Sequence, residues 1–398
     1  MHPADEIRGI KSNRLSKKRI VLAVTGSIAA TETIKLSREL IRHGAEVYPV
    51  MTPSATNIIH PDALWFSTGN HPIINISGKT EHVYFCGKVK NPVNLLLISP
   101  CTANTISKIA HGIDDTAVTT FATTALGSGV PILIVPAMHI SMYDHKILQE
   151  NIKKCKKAGI KFVEPLIEKN KAKMAEIDEI VSYVIREIGA KDLAQKKILI
   201  IGGPASESID DVRIITNRSS GKTAVSLAKN AFYRGADVEL WYGCGRETPP
   251  KYIKTKNFVS INDVNKLLKS KDIKKFDIII LCAALSDYIS KKQKGKIPSG
   301  KEKLVIEMSP APKIISTLRK IAKKSKIIGF KVEGKAADLK EKAITLLKKN
   351  DLDFVVANTI SGFDRDDNEI WIIDKKGKSV HKKGKKEQLA DQILDTVK

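Results

Sequence analysis

Two groups of residues in this 398-residue chain could carry chemistry. The first is the stretch "TNRSSGKTA", Thr216 to Ala224, basic and rich in hydroxyls. Gly221, Lys222 and Thr223 fit the tail of a phosphate loop of the form G-x-x-x-x-G-K-[ST]. The leading glycine belongs at position 216, where a threonine stands, so the loop fails by its own rule and the turn needs another purpose. The second group is five loops, "TGSIAAT", "MTPSATN", "SPCTANT", "FATTALGSG" and "PAMHISMY". They are read as lying at the carboxyl ends of strands, where ligands of open α/β sheets sit. Small and hydroxyl-bearing residues dominate four of them. Short side chains let backbone N–H groups approach a phosphate, and Ser27 stands where a helix begins. The set predicts a phosphorylated cofactor. The G-x-x-A at Gly26 also has a plainer reading, tight packing of a strand against a helix.

The elements that must position these residues alternate as strand and helix, twice over. In the first half "RIVLAVTG" is a short apolar run ending in glycine, the pattern of a buried strand. "SIAATETIKLSRELIRHG" has helical spacing and closes on Gly44. "AEVYPVMT", "VNLLLISP" and "PILIVPA" repeat the strand pattern; "ANTISKIAHG" and "YDHKILQENIKKCKKAG" repeat the helical one. The alternation restarts at "KKILIIGGP". "SSGKTAVSLAKNAFYRG" then reads as a helix with a serine cap. Strands follow at "ADVELWYG", "FDIIILCAA", "SKIIGFKV" and "LDFVVAN", with helices at 310–323 and 335–350. This predicts an α/β chain of two Rossmann-like three-layer domains with mainly parallel sheets, residues 1–190 and 191–398.

The formal charge of +24 invites a nucleic-acid reading. The lysines fall in helices and loops such as "KKCKKAGIK", with no interleaved aromatics to stack on bases, so no nucleic-acid partner is expected. A lysine-rich surface, of the kind found in hot environments, would favour anionic small substrates. No run reaches the eighteen apolar residues of a membrane span. The start, "MHPADEIRGIKSNRLSKKR", has no apolar core of a secretory signal. Cys86, Cys101, Cys155, Cys244 and Cys282 are scattered without a C-x-x-C pair, which argues against zinc and against a disulfide framework. A reducing, cytoplasmic compartment is the expectation.

"VTGSIAA", "SPCTANTISKIAHGIDDT" and "PAMHISMY", in this order and spacing across residues 19–185, resemble the flavin-dependent cysteine decarboxylases, in particular the phosphopantothenoylcysteine decarboxylases. The resemblance implies a flavodoxin-like domain with bound FMN. Its phosphate would lie near Gly26, Ser27 and Ile28, with further contacts from Thr52, Ser54, the turn Thr102, Ala103, Asn104, Thr105, and Ala137. It implies His82, in "TEHVYF", as the catalytic base, His139 and Met142 as substrate contacts, and flavin sites shared at trimer contacts. The chain departs from the family twice. The family motif PAMN reads PAMH here, with His139 in the asparagine's place. The family's proton-donating cysteine sits in a glycine-rich lid, and the corresponding "EPLIEKNKAKMAEID" has neither cysteine nor glycine. Cys101, Lys171 and Lys173 are the candidate substitutes, with water or the His139 site as the remaining ones; for Cys101 a small buried core residue is the plainer reading.

"GGPASESIDDVRIITNRSSGKTAVSLAKNAFYRGADVELWYG", "CAALSDY", "GKIPSG", "IIGFKVEG" and "VVANTISGFDRDDNEIWII" resemble the phosphopantothenate–cysteine ligases over residues 196–398. The opening stretch then looks like the substrate-activating turn of a nucleotidyl-transfer ligase. A carboxylate and an amine do not condense in water, so the carboxylate must be activated. Nucleotidyl transfer needs cations at the triphosphate, hydrogen bonds to developing charge and usually magnesium. The resemblance implies CTP as the nucleotide, with 4'-phosphopantothenate and L-cysteine as the substrates joined. It implies binding by Leu281, Cys282, Ala283, Asp287, Lys296, the turn Pro312, Lys313, Ile314, Ile315, and Phe330, with Lys342 and Lys349 as two further matches. Asp287 is the candidate Mg2+ ligand, and Arg213, Asn217 and Lys296 are the residues acting on the acyl intermediate or the nucleotide. Paired ligase domains are implied as well. A dehydrogenase reading of this half needs G-x-G-x-x-G and an acidic residue ending the second strand, and "GGPASES" and "VELWYGCG" supply neither. The remaining alternative is a ligase joined to a repurposed or regulatory flavin-binding domain.

Overall fold

The computed structural model describes residues 2–269, 271–300, 303–334, 336–362 and 365–398. Lys335, at the start of one expected helix, and Phe363 and Asp364, inside one ligase motif, lie outside the described residues. The chain divides into two compact units, Met1–Ala190 and Lys191–Lys398. Among the described residues no helix is long and apolar enough to cross a membrane.

The strands of the first unit are β1 (Arg19–Val24), β2 (Glu46–Met51), β3 (Leu95–Cys101), β4 (Ile132–Pro136), β5 (Met138–His139), β6 (Lys161–Phe162), β7 (Leu166–Glu168) and β8 (Lys171–Lys173). Five of them form one wholly parallel sheet in the order β2-β1-β3-β4-β6. All seven residues of β3 are buried. Alternate residues of a strand face opposite sides, so a strand buried throughout must be covered on both faces. Val21, Ala23, Leu96 and Ile98 share a core with Ile106, Phe121 and Ile152 of the helices Ala103–His111, Ala117–Ser128 and Lys146–Lys157. Ile20, Leu22, Leu95 and Leu97 are equally buried on the other side. β7 and β8 form a hairpin with Lys169 at φ 49°, and β8 pairs with β5 in a separate three-stranded sheet.

The second unit holds β9 (Lys197–Gly202), β10 (Ser206–Ser208), β11 (Ile214–Thr216), β12 (Asp237–Tyr242), β13 (Lys254–Asn257), β14 (Ile278–Leu281), β15 (Tyr288–Ser290), β16 (Met308–Pro310), β17 (Lys326–Glu333), β18 (Phe354–Thr359), β19 (Asp367–Asp374) and β20 (Ser379–Lys385). Its main sheet has eight strands in the order β13-β12-β9-β14-β17-β18-β19-β20. The ladders are parallel as far as β18 and antiparallel from there to β20. β10–β11 and β15–β16 are short ribbons. Both units are thus α/β with mainly parallel sheets.

Four sequence expectations need correction. The helix after the "TNRSSGK" turn has no serine cap: it is Lys222–Tyr233, and the residue before it, Gly221, sits at φ +84° with no side-chain cap bond. The helical pattern from Ser27 opens as a 3-10 turn, Ile28–Glu32, before the α-helix Thr33–Arg42. "FATTALGSG" is not a carboxyl-end loop; it is the last part of helix Ala117–Ser128, which leads into the amino end of β4. The helix expected over 310–323 is Ile314–Ile321, because Pro310 is already spent in β16.

Candidate active sites

The carboxyl ends of β1, β3 and β4 open on a cavity of about 1120 Å³. Gly26, Ser27 and Ile28 line it from β1, Thr102 and Ala103 from β3, and Ala137, Met138, His139 and Met142 from the turn after β4. The hairpin β7–β8 closes one side through Glu168, Lys171 and Lys173. Ligand pockets span roughly 300–1,000 Å³, so there is room here for a cofactor and a substrate together.

Local hydrogen bonds hold the loops in place. Thr25 Oγ1 donates to the Pro100 carbonyl at 2.9 Å and accepts from the Thr102 N–H at 3.0 Å, tying the loop after β1 to the loop after β3. Thr102 caps helix Ala103–His111 by accepting from the Thr105 N–H at 3.3 Å. Thr52 caps its own short helix through the Ala55 N–H at 3.2 Å. A Cβ on Gly26 would stand 2.6 Å from Ser54 Cβ, so only glycine allows these two loops to approach. Ser27 precedes the 3-10 turn without spending its hydroxyl on a cap. Ile28 is 78% exposed and Met142 46%, both facing the cavity's space. The Ser27 N–H donates to the Thr25 carbonyl at 2.8 Å, so the hydroxyl of Ser27, the glycine backbone and the uncovered apolar surface are what this wall offers a phosphorylated flavin.

The other first-unit candidates are dispersed. Thr52, Ser54, Asn104 and Thr105 are not part of the cavity wall; Thr52 caps its short helix, Thr105 bonds the Thr102 hydroxyl, and Ser54 and Asn104 are exposed. His82 lies on helix Glu81–Cys86, also off the wall, and its Nδ1 is buried without a hydrogen-bond partner among the described residues. Cys101 is the clear correction. It is wholly buried in the core beside Ile106 and Cys155, and burial, with the neighbouring Cys155 thiol, pushes its thiol well above the ordinary range. It cannot offer a proton to the cavity.

In the second unit a smaller pocket of about 120 Å³ stands at the carboxyl ends of β9, β14 and β17. The turn Ser219–Ala224, Cys282, Ala283 and Phe330 line it. A Cβ on Gly202 would overlap Ala224 Cβ, so β9 and the helix Lys222–Tyr233 meet backbone to side chain. Asn217 Nδ2 donates to the Ala284 carbonyl at 2.8 Å, which fixes the turn against the end of β14. Cys282 is half-buried on the pocket wall, and desolvation pushes its thiol up to about 12.

Arg213 and Lys296 are organised by two residues the sequence reading missed, Asp210 and Asp211. Asp210 is 1% exposed. Its carboxylate accepts from the Ile297 N–H at 3.0 Å, the Val212 N–H at 2.8 Å, and the Arg213 N–H and guanidinium at 2.6 Å each. Burial alone would raise its pKa; these four donors outweigh it and hold the carboxyl well below the usual range. Asp211 accepts from the Gly295 N–H at 2.8 Å and pairs with Lys292 at 2.7 Å. Lys296 is therefore clamped through both of its chain neighbours while its own side chain stays exposed. The signal was present as Asp three residues before Arg in "DDVR".

Asp287 pairs with Lys313 at 2.5 Å, and its carbonyl accepts from the Ala311 N–H at 2.9 Å. Among the described residues no cluster of three or more His, Cys, Asp or Glu could hold a metal ion, so Asp287 stands as a lone carboxylate. The turn Pro312–Ile315 leads into helix Ile314–Ile321. Lys342 pairs with Glu333 at 2.8 Å, near the carboxyl end of β17. Lys349 ends the helix that carries Lys342. Helix Ala336–Lys349 runs back against the strands, and seven residues of helix carry Lys349 roughly 10 Å toward their amino ends.

Residues 8–189 match the family described as Flavoprotein, and residues 193–398 the family described as DNA/pantothenate metabolism flavoprotein C-terminal domain. The coenzyme A biosynthesis bifunctional protein CoaBC of Thermococcus kodakarensis is 43% identical over 406 residues, covering 100% of this chain and 99% of its own. The protein of the same name from Methanocaldococcus jannaschii is 41% identical over 408 residues, covering 100% and 98%. A crystal structure of the C-terminal domain of a CoaBC protein aligns at 29% identity and a TM-score of 0.45, covering 52% of this chain and 96% of that one. The chain belongs to the family of coenzyme A biosynthesis bifunctional proteins, which join a phosphopantothenoylcysteine decarboxylase to a phosphopantothenate–cysteine ligase.

Proposed function

We propose that the second unit joins 4'-phosphopantothenate to L-cysteine with CTP, through an acyl-cytidylate, and that the first unit decarboxylates the product to 4'-phosphopantetheine with FMN. The supporting observation is that one chain of this family carries two separate sites, each at the carboxyl ends of its own parallel sheet.

In the ligase, Lys296 and Lys313 offer cations to the triphosphate, and the backbone opening helix Ile314–Ile321 offers N–H groups. Arrival of the phosphates would draw Lys313 from Asp287 and leave that carboxylate for Mg2+, whose other ligands would be phosphate oxygens and water. Asn217 donates to charge developing on the acyl group. Arg213 holds its loop through Asp210 and faces the same intermediate.

In the decarboxylase, bound FMN supplies a hydride acceptor for the cysteine-derived carbon and later returns the hydride. Gly26 and Ser27 hold the phosphate, the hairpin β7–β8 excludes water, and His82 takes the proton released as the thiol is oxidised. His82 would reach the cavity of another copy in a trimer; the neighbouring Val83 and Tyr84, 41% and 61% exposed, suit such a contact. Paired ligase units and a cytoplasmic setting complete the reading.

The test is purified protein given 4'-phosphopantothenate, L-cysteine and CTP. Yellow protein with one flavin per chain, and pyrophosphate and carbon dioxide in equal amounts, are expected. Ligation without carbon dioxide would favour a regulatory flavin unit instead, a reading supported by the missing cysteine in residues 164–178.

A further inference from the structure

The small sheet β5-β8-β7 places three ionisable side chains in one row. His139 pairs with Lys171, and Lys171 pairs on its other side with Glu168. Residues directly opposite on antiparallel strands share a face, and all three line the cavity of the first unit. Lys173 is on the same face, and its ammonium is held by Glu168 at 2.5 Å. His139 is held from its own chain: Nδ1 lies 2.8 Å from Ser141 Oγ and 3.3 Å from the Ser141 N–H. A hydroxyl rotates to accept from or donate to a ring nitrogen. Ser141 therefore keeps the ring in place in either protonation state and leaves Nε2 unencumbered by that cap. Among the described residues lining the cavity, His139 is the only imidazole, and there is no cysteine.

We propose that His139 is the general acid of the decarboxylase's last half-reaction. The inference rests on the decarboxylase reading above. Once carbon dioxide has left, the substrate is an enethiolate, and its vacated carbon needs a proton. Imidazole is the side chain that gives and regains protons most readily near neutral pH, and the Lys173 ammonium is engaged by Glu168. The imidazolium of His139 gives its Nε2 proton to the vacated carbon. The C=C electron pair becomes the new C–H bond, and the sulfur lone pair forms C=S. Hydride returned from the reduced flavin adds to the carbon bearing sulfur, and the C=S pair moves to sulfur as a thiolate. Solvent supplies the thiolate proton and recharges the neutral ring, which Nδ1 still anchors to Ser141. Over the whole reaction the hydride removed is the hydride returned, and the proton from His139 stands where carbon dioxide stood.

The experiment compares His139→Asn and His139→Gln with the parent protein in one anaerobic turnover of 4'-phosphopantothenoylcysteine, followed by mass spectrometry. Both variants are expected to release carbon dioxide but to form the thiol about 10²–10⁴-fold more slowly, leaving a product lighter by two hydrogens. Flavin absorbance per chain and calorimetric binding of 4'-phosphopantetheine are expected to match the parent. Parental rates of thiol formation in both variants would overturn the assignment. So would loss of flavin from both, which would make the ring a cofactor seat, or a stall in Lys171→Ala or Lys173→Ala in place of the His139 variants. A parent that releases no carbon dioxide sinks the decarboxylase reading and this assignment with it; the other outcomes sink the assignment alone.

Discussion

Tyr242 occupies the space in which Gly221 would carry a side chain. A Cβ on Gly221 would overlap the Tyr242 hydroxyl and lie 2.7 Å from its Cζ. Gly221 also holds φ +84°, where a residue with a Cβ loses ~1–2 kcal/mol. Gly221→Ala should slow ligation by about tenfold or more, equivalent to ~1.4 kcal/mol, and leave decarboxylation of supplied 4'-phosphopantothenoylcysteine unchanged. Adding Tyr242→Phe should restore part of the rate, because it removes the hydroxyl contact while the ring-carbon contact at 2.7 Å and the backbone angle remain. Initial rates of the two half-reactions decide it; an undiminished ligase would remove the turn from the site.

His82→Asn should abolish carbon dioxide release by ~10²–10⁴-fold, the usual worth of a positioned base, while pyrophosphate release continues. The Nδ1 left without a partner is the motive. Decarboxylation at the parental rate would take His82 out of the reaction.

Asn217→Asp replaces the amide that donates to the Ala284 carbonyl at 2.8 Å by a carboxylate that cannot. It also sets negative charge where an acyl group develops its own. Ligation should fall by roughly 10²–10³-fold, as for loss of a transition-state donor. Rapid-quench trapping of the acyl-nucleotide would show whether activation or cysteine attack is slowed, and an unaffected rate would refute the role.

Glu239 predicts an acid limb of stability for the second unit. It is buried on β12, 5% exposed, and accepts from Trp241 Nε1 at 2.9 Å and pairs with Lys254 and Lys256 at 3.0 Å. Burial pushes its carboxyl up; Trp241 and the lysines outweigh this and bring it down from 4.5 to about 2. A carboxyl depressed in the folded state stabilises it above the ordinary range and loses that contribution as pH falls from about 4.5 toward 2. The shift corresponds to ~3 kcal/mol. Urea unfolding across that window should show the loss in the parent and a flatter profile in Glu239→Gln; parallel profiles would contradict it.

Much of this architecture is legible from the chain because β1, β3, β4, β9 and β14 are short uninterrupted apolar runs, the mark of strands covered on both faces. β19 and β20 escaped that reading. "SVHKKGK" is largely exposed and polar, and its strand character comes from pairing with β19, not from burial. Motif and backbone coincide at Gly26 and Ser27, which line the larger cavity, and at Asn217, which braces its turn against the Ala284 carbonyl. A side chain's surroundings decide elsewhere: of the two readings left open for Cys101, burial beside Ile106 and Cys155 favours the core residue over the acid. Asp210 and Asp211 were overlooked because part of what engages them, the Ile297 and Gly295 N–H groups, comes from a loop more than eighty positions away.

The parallel order of the sheets also sets a sequence in time. Ile20 pairs with Leu95 and Ile198 with Ile278, so these ladders close only after long intervening segments have been gathered. The entropy of such closure rises with the logarithm of loop length, and non-local pairing slows folding. The β18-β19-β20 meander pairs Asn358 with Ile370 and Ile373 with Ser379, across short connections. This late part of the second unit should then be the first to acquire protected amides. Pulsed hydrogen exchange during refolding should protect Ile372 and Ile373 before Ile200 and Ile280, and the reverse order would contradict it. Until β9 and β14 meet, two apolar strand edges stand open to pairing with another chain, and dilute refolding should recover more active protein than concentrated refolding.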